Sequence, residues 1–448
     1  MMDRFSMGEA EEMIPFTNDG ITEELVPKEA LRAAEASVNA KYGEGVLRGE
    51  LLGEEVVESL VSLREMIAER MRRQGMTSAF RDGIVLTGGL EQSLDWVVRE
   101  LTESGDTVLV ERPTGLAGLS VLARCGVQVI GVECDEQGPL AEELEKLLVG
   151  VVQGEDESKR ESESENESAA AKKPRLLYAA PTYGDPTGRV WSVDRRQEVL
   201  ALCRAHGVVI VEDDTCGELK FHTDAADLST LYELAGEAGG VMYVNSYEHM
   251  IAPSLRVGWI AGERSMMTRV RTNNGGEADD VGDGKDGGGD AANAQNELVG
   301  EEDVSRDESD EIGDARSDVF DQLVLAELLR NIDLDAHMRR VADVYRERMY
   351  AMQRQLRIQQ LAGVKWTEPE GGRSLWLRLP DGLDGDALSR LTRMMGMDIA
   401  PGSLFYAEEP QRNTVRLYFT SCSMEEMEQG VAIIAEAIRG FMARWSDD

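Results

Sequence analysis

Residues 208–214 read VVIVEDD, a short run of mostly β-branched apolar residues that ends in three acidic ones. The run follows RRQEVLALCRAHG at 195–207, a stretch of helix-forming residues that ends in glycine. Short, continuously apolar strands are typical of parallel sheets that are covered on both faces. The pair therefore predicts one helix–strand unit of an α/β sheet, with acidic residues at the carboxyl end of the strand.

The same alternation extends in both directions along the chain. Earlier apolar runs occupy 83–89, 106–114, 127–133 and 175–182, and the runs VMYVNSY and RVGWIAG come later. Helical stretches separate most of these runs. We therefore predict an α/β fold with a large domain built on a mostly parallel, helix-covered sheet, followed by a smaller C-terminal α/β domain.

Two acidic segments interrupt this pattern. Residues 273–318 contain sixteen acidic and three basic residues, and residues 153–173 contain seven and four. Such segments cannot bury enough apolar surface to offset the entropy lost on ordering, so we predict disordered insertions at 153–173 and 273–317. The predicted units are an N-terminal segment packed against the small domain (1–54), the large domain (55–272), and an interdomain helix with the small domain (318–448).

Composition excludes several classes of function. The formal net charge is −38, from 85 acidic and 47 basic residues. So much negative charge opposes binding to nucleic acids or to anionic membranes. The five cysteines form no CxxC pair, and there is no run of 18 apolar residues. We expect a cytoplasmic protein with reduced thiols and no metal site.

Nine motifs follow one another between about residues 15 and 440, outside the two insertions. They are YGEG, LTGGLEQSL, GDTVLVERPTG, APTYGDPTG, VVIVEDDTCGELKF, SYEHMIAPSLRVGW, GGRSLWLRLP, APGSLF and VRLYF. Their order and spacing resemble the class I/II aminotransferases of fold type I, which use pyridoxal 5′-phosphate (PLP). The resemblance is greatest to the aminoadipate/kynurenine subgroup and to the aminotransferase-like domain of MocR-type regulators. It implies a homodimer with the site between the subunits.

The resemblance assigns roles to several residues. Asp213 matches the aspartate that pairs with the pyridinium nitrogen of PLP, and Arg416 matches the arginine that binds a substrate carboxylate. Taken alone, these two residues would be a strand-end cap and a solvated strand arginine. The matches to the binding site of the cofactor phosphate are Gly89, Ser246 and Arg256, with Tyr42 reaching the cofactor of the partner subunit.

Seven positions depart from the family pattern. His249 stands at the position of the lysine that forms the Schiff base, and an imidazole cannot form that bond. Asp185 stands at the position of an asparagine that hydrogen-bonds the cofactor. The other departures are Leu90, Glu91, Gly115, Cys216 and Glu248. If Glu91 and Glu248 face inward, the negative charge of each would weaken binding of the cofactor phosphate by about 2 kcal/mol after solvent screening.

These departures favour a degenerate member of the family that acts as a binding or regulatory pseudoenzyme. Two alternatives stay open: a PLP-dependent aminotransferase of amino acids, and an enzyme that holds its cofactor noncovalently with His249 as the base. We expect His249 to face Asp213 as an ion pair, with Ser246 and Arg256 on one side and Arg416 on the other. A pocket that keeps these arginines would favour a small anionic or amino-acid ligand.

Overall fold

The computed structural model of the protein describes residues 13–48, 53–150, 172–222, 228–274 and 319–445. The predicted insertions fall almost entirely outside these ranges, at 153–171 and 275–317. Among the described helices none is both long enough and apolar enough to span a bilayer. The domain boundaries at 54/55 and 317/318 stay predictions.

The strands, in chain order, are β1 (Ile14–Pro15), β2 (Ile84–Thr87), β3 (Thr107–Arg112), β4 (Gln128–Asp135), β5 (Gly138–Pro139), β6 (Leu176–Ala179), β7 (Thr182–Gly184), β8 (Arg189–Val190), β9 (Val209–Asp213), β10 (Val241–Ser246), β11 (Gly258–Ala261), β12 (Lys365–Trp366), β13 (Ser374–Arg378), β14 (Met397–Asp398), β15 (Ala400–Pro401) and β16 (Thr414–Tyr418). The helices are α1 (Lys28–Arg48), α2 (Glu54–Arg73), α3 (Leu90–Leu101), α4 (Leu116–Arg124), α5 (Ala141–Val149), α6 (Val193–His206), α7 (Leu231–Ala235), α8 (Arg264–Asn274), α9 (Val319–Asn331), α10 (Leu334–Gln359), α11 (Gly385–Met394) and α12 (Met424–Trp445).

The large sheet has eight strands in the order β2-β11-β10-β9-β6-β3-β4-β5. The five strands from β10 to β4 in this order are mutually parallel. Strand β11 runs antiparallel to both of its neighbours, and β5 runs antiparallel to β4. The predicted α/β fold with a mostly parallel sheet is therefore confirmed.

Apolar side chains bury both faces of this sheet. In β2, Ile84 and Leu86 enter one core cluster, whereas Val85 enters the other, because successive strand residues point to opposite faces. Helices α3, α4 and α8 cover the second face, and residues of α2, α6 and α9 pack on the first. Burial on both faces explains why the strands read as continuous apolar runs.

A smaller antiparallel sheet has the order β12-β13-β16-β15. Strand β1 pairs in parallel with β14, and the amide of Tyr418 donates to the carbonyl of Phe16 at 2.9 Å. The N-terminal segment thus lies against the C-terminal part of the chain. This placement brings residues 17–19 close to the ends of the large-sheet strands.

The sequence predicts one long helix from residue 318, but the structure has two, α9 and α10. The break lies at Ile332 and Asp333. The Asp333 side chain accepts a hydrogen bond from the amide of Ala336 at 2.9 Å and so starts a new helix. The apolar periodicity continues through the break, which is why the pattern alone did not reveal it.

Candidate functional site

A cavity of about 190 Å³ lies where the large sheet, the small sheet and the N-terminal segment meet. Asp213, at the end of β9, forms part of its wall, and His249, in the loop after β10, forms another part. Asp185, Arg373 and Arg416 also line it. In parallel α/β sheets, sites gather at the carboxyl ends of the strands, because loops from several strands converge there.

Asp213 is buried, with 7% of its surface exposed, and its described partners are uncharged. The hydroxyl of Tyr178 donates to its Oδ2 at 2.7 Å. The amide and the hydroxyl of Thr215 donate to its Oδ1 at 3.1 and 2.7 Å. The carboxylate is held firmly by hydrogen bonds, and no basic side chain of the described chain is among these partners.

The predicted ion pair between His249 and Asp213 is wrong. The acidic neighbour of His249 is Asp19, with its Oδ2 3.7 Å from Nδ1. Burial and the charge of Arg373 lower the pKa of His249 to about 3, which outweighs the opposite effect of Asp19. The imidazole is therefore neutral at physiological pH, and Asp213 has no part in this contact.

Each arginine in the cavity is paired with an aspartate. Arg416 Nη1 lies 2.9 Å from Asp185 Oδ2, and Arg373 Nη1 lies 3.0 Å from Asp19 Oδ2. Burial acts to raise the pKa of Asp19, but the nearby charges, chiefly Arg373, outweigh it and lower that pKa. The predicted carboxylate-binding group, Arg416, thus already binds a carboxylate of this chain.

The carboxylate of Glu248 occupies the predicted binding site of the cofactor phosphate. Glu248 Oε1 accepts a hydrogen bond from the amide of Leu90 at 3.0 Å and another from the Ser246 hydroxyl at 3.1 Å. Helix α3 begins at Leu90, so the carboxylate occupies the anion-binding end of that helix.

Gly89 is required beside this carboxylate. Its φ is +104°, and a Cβ atom there would overlap Oε1 of Glu248. Burial raises the pKa of Glu248, although the two hydrogen bonds and Arg256 act against that rise. The predicted phosphate ligands Gly89 and Ser246 therefore surround Glu248.

Three further predicted positions lie away from the cavity lining. Glu91, expected to face a phosphate if it points inward, points outward instead: its side chain is 61% exposed and pairs with Arg124 at 3.0 Å. Arg256 is exposed and does not line the cavity, so it does not flank His249 there. Tyr42 lies in α1, where its hydroxyl donates to the carbonyl of Glu55 at 3.4 Å.

The remaining departures from the family pattern lie at the wall of the cavity. Gly115 and Cys216 both line the cavity, and burial raises the pKa of the Cys216 thiol. The described lining of the cavity contains no lysine. Lys220, nearest in sequence to Asp213, forms a β-bridge with Gly371 and lies outside the lining.

Sequence reasoning missed Asp19, Arg373, Tyr178 and Tyr418, which all line the cavity. Asp19 is far along the chain from the other site residues. Arg373 had a usable signal, because a charged residue directly precedes the buried strand SLWLR in the motif GGRSLWLRLP. A buried arginine needs an acidic partner, and this requirement points to an unassigned carboxylate nearby.

Comparisons with known proteins agree with this geometry. Residues 56–276 match the model of the family "Aminotransferase class I and II". Aromatic-amino-acid aminotransferase 1 of Thermococcus litoralis is 26% identical over 95% of this chain and 84% of its own length. The 2-aminoadipate transaminase of Thermus thermophilus is 27% identical over 94% of this chain and 88% of its own. An uncharacterized HTH-type transcriptional regulator of Bacillus subtilis, YisV, is 23% identical over 94% of this chain and 73% of its own.

Solved structures give the same result. The α-aminoadipate aminotransferase of Thermus thermophilus, complexed with N-(5′-phosphopyridoxyl)-L-leucine, superposes with a TM-score of 0.73 at 26% identity, covering 97% of this chain and 94% of its own. The fold is that of the fold-type I aminotransferases. Its similarity to the class I and II aminotransferases covers residues 56–276 in the family model and nearly the whole chain in the two aminotransferase relatives.

Proposed function

We propose that this protein is a degenerate aminotransferase, a cytosolic pseudoenzyme that acts through binding or regulation rather than transamination. One observation carries the proposal: the Glu248 carboxylate already holds the Leu90 amide and the Ser246 hydroxyl. These donors are the ones that a cofactor phosphate would need. The residues present therefore do not fit the phosphate of PLP, because it would meet both a filled space and a like charge.

The group at the lysine position supports the same conclusion. His249 cannot bond covalently to PLP, and the low pKa of its imidazole, about 3, makes it a weak base near neutral pH. This weakness also counts against the alternative in which His249 shuttles protons for a noncovalently held cofactor. The competing proposal, an active PLP-dependent aminotransferase, draws on the family match and on the retained Asp213.

Incubation with PLP followed by borohydride tests the proposal. At one equivalent of PLP we expect no visible cofactor band and no stoichiometric mass added to the purified chain after reduction, because no lysine lines the described cavity and exposed lysines react only partially at this ratio. A noncovalently held cofactor would give a band but no added mass. A mass increase equal to one reduced cofactor would show covalent binding and overturn the proposal.

The family resemblance also leads us to propose a homodimer, with Tyr42 directed at the partner subunit. The net charge of −38 opposes association at low salt, but physiological salt screens charges beyond about 8 Å. Light scattering at micromolar protein is expected to give twice the chain mass of 49.3 kDa. A monomer mass under these conditions would contradict the dimer.

A further inference from the structure

We propose that the cavity binds a small organic cation, a protonated amine on a compact apolar body, with Asp213 as its counter-ion. This inference rests on the proposed function, because it requires the cavity to be free of PLP. It assigns the site a ligand class opposite in charge to a phosphorylated cofactor.

The first argument is the charge of the lining. Arg373 and Arg416 are neutralised by Asp19 and Asp185, at 3.0 and 2.9 Å. His249 adds no charge, because its pKa is lowered to about 3. Among the described lining residues, the carboxylate of Asp213 is therefore the charge left without an ionic partner.

The second argument is the hydrogen-bonding capacity of Asp213. A carboxylate offers about four acceptor sites, and the described donors occupy three, two on Oδ1 and one on Oδ2. One acceptor site on Oδ2 therefore has no donor among the described residues, and Asp213 lines the cavity. A buried carboxylate gains most from a charged donor, since such hydrogen bonds are stronger than neutral ones.

The third argument is the shape and polarity of the remaining wall. Leu90, Leu116 and Ala117 supply apolar surface, and Gly115 adds no side chain to the wall. A cavity of about 150 Å³ holds a benzene molecule, so about 190 Å³ accepts a single ring with a short substituent.

Anions are disfavoured at the same place. A ligand carboxylate at Arg416 would lie beside the Asp185 carboxylate, which already holds Nη1 and repels a second negative charge. A phosphate would have to displace Glu248 from the start of α3 and leave that partly buried carboxylate without its donors, which is costly. The anionic or amino-acid ligand expected from the arginines alone thus gives way to an amine without a carboxylate.

Three probes of nearly equal size test the charge preference: benzylamine, benzyl alcohol and benzoate, each titrated into the full chain by calorimetry at neutral pH. We expect benzylamine to bind at least about tenfold more tightly than benzyl alcohol, with benzoate weakest, because the ammonium offers Asp213 a charged donor, the alcohol a neutral one and benzoate none. Equal binding of the three probes, absence of binding by all three, or preference for benzoate would overturn the inference.

Two variants locate the binding. Asp213→Asn keeps the shape but removes the charge, and it is expected to abolish the preference for benzylamine. Asp194→Asn, at an exposed position in the first turn of α6, is the matched control and should bind as the native chain does. An unchanged preference in Asp213→Asn would refute the assignment. If this variant does not fold, the three probes titrated into the native chain still test whether the cavity prefers a cation.

Failure of this inference is distinguishable from failure of the proposed function. A chain that takes up PLP covalently fails the proposed function in the borohydride experiment, whatever the amines do. A chain that takes up no PLP and shows no preference for benzylamine keeps the proposed function and loses only the cation site.

Discussion

The double variant Glu248→Ser, His249→Lys is expected to acquire PLP covalently, whereas His249→Lys alone is expected to stay without it. The serine frees the Leu90 amide and the Ser246 hydroxyl for a phosphate. It also removes a repulsion of about 2 kcal/mol, which corresponds to more than about tenfold in affinity. The readout is the mass added to the chain after borohydride reduction.

The new lysine should be reactive in this setting. Burial and Arg373, which lower the pKa of His249, would lower that of a lysine amine at the same position and so favour its uncharged, nucleophilic form. Formation of the bond between this lysine and PLP in the double variant therefore depends on whether the cofactor phosphate can reach the Leu90 amide and the Ser246 hydroxyl. Transamination should not return, because Gly115, Asp185 and Cys216 remain.

A matched control tests whether the gain of PLP depends on removing Glu248 itself or on removing any acidic residue near the start of α3. Glu91→Ser with His249→Lys also removes an acidic residue near the start of α3, but Glu91 is exposed and paired with Arg124. This control should behave like His249→Lys alone. Covalent uptake of PLP by His249→Lys alone would show that Glu248 does not prevent the cofactor phosphate from binding. The proposal that the protein is a degenerate aminotransferase would then be wrong.

Arg196→Ala is expected to lower the free energy of unfolding by about 3–5 kcal/mol. Arg196 and Glu212 are both fully buried, with 3.9 Å between Nη1 and Oε1. The guanidinium also donates to the carbonyls of Trp191 and Pro181 and to the Thr182 hydroxyl. Alanine would leave a buried carboxylate without its cation and several acceptors without a donor.

Denaturant unfolding of matched variants measures this loss. Arg204→Ala, on the same helix, should cost about 1 kcal/mol or less, because Arg204 is exposed and its hydrogen bond among the described residues is to the Gly239 carbonyl. Glu212→Gln in the Arg196→Ala background should recover part of the loss, because it removes the uncompensated charge. A loss below about 1 kcal/mol in Arg196→Ala would contradict a structural role for this pair.

The sequence by itself determined the fold and the order of the site elements. Continuous apolar strands such as 208–214, separated by helices, are local patterns whose burial requires a covered parallel sheet. The same patterns carried the family resemblance and marked His249 at the lysine position. The break between α9 and α10 was not predicted, because the apolar spacing typical of a helix continues across Asp333.

Only the tertiary structure decided which charges meet. Asp19 reaches His249 and Arg373 across 230 and 354 positions of sequence, and Arg416 reaches Asp185 across 231. The family resemblance placed His249 beside Asp213 because it assigns both residues to the pocket of one cofactor. Ion pairs depend on distances of a few ångströms between side chains, and no local pattern encodes those distances when the partners come from separate segments of the chain.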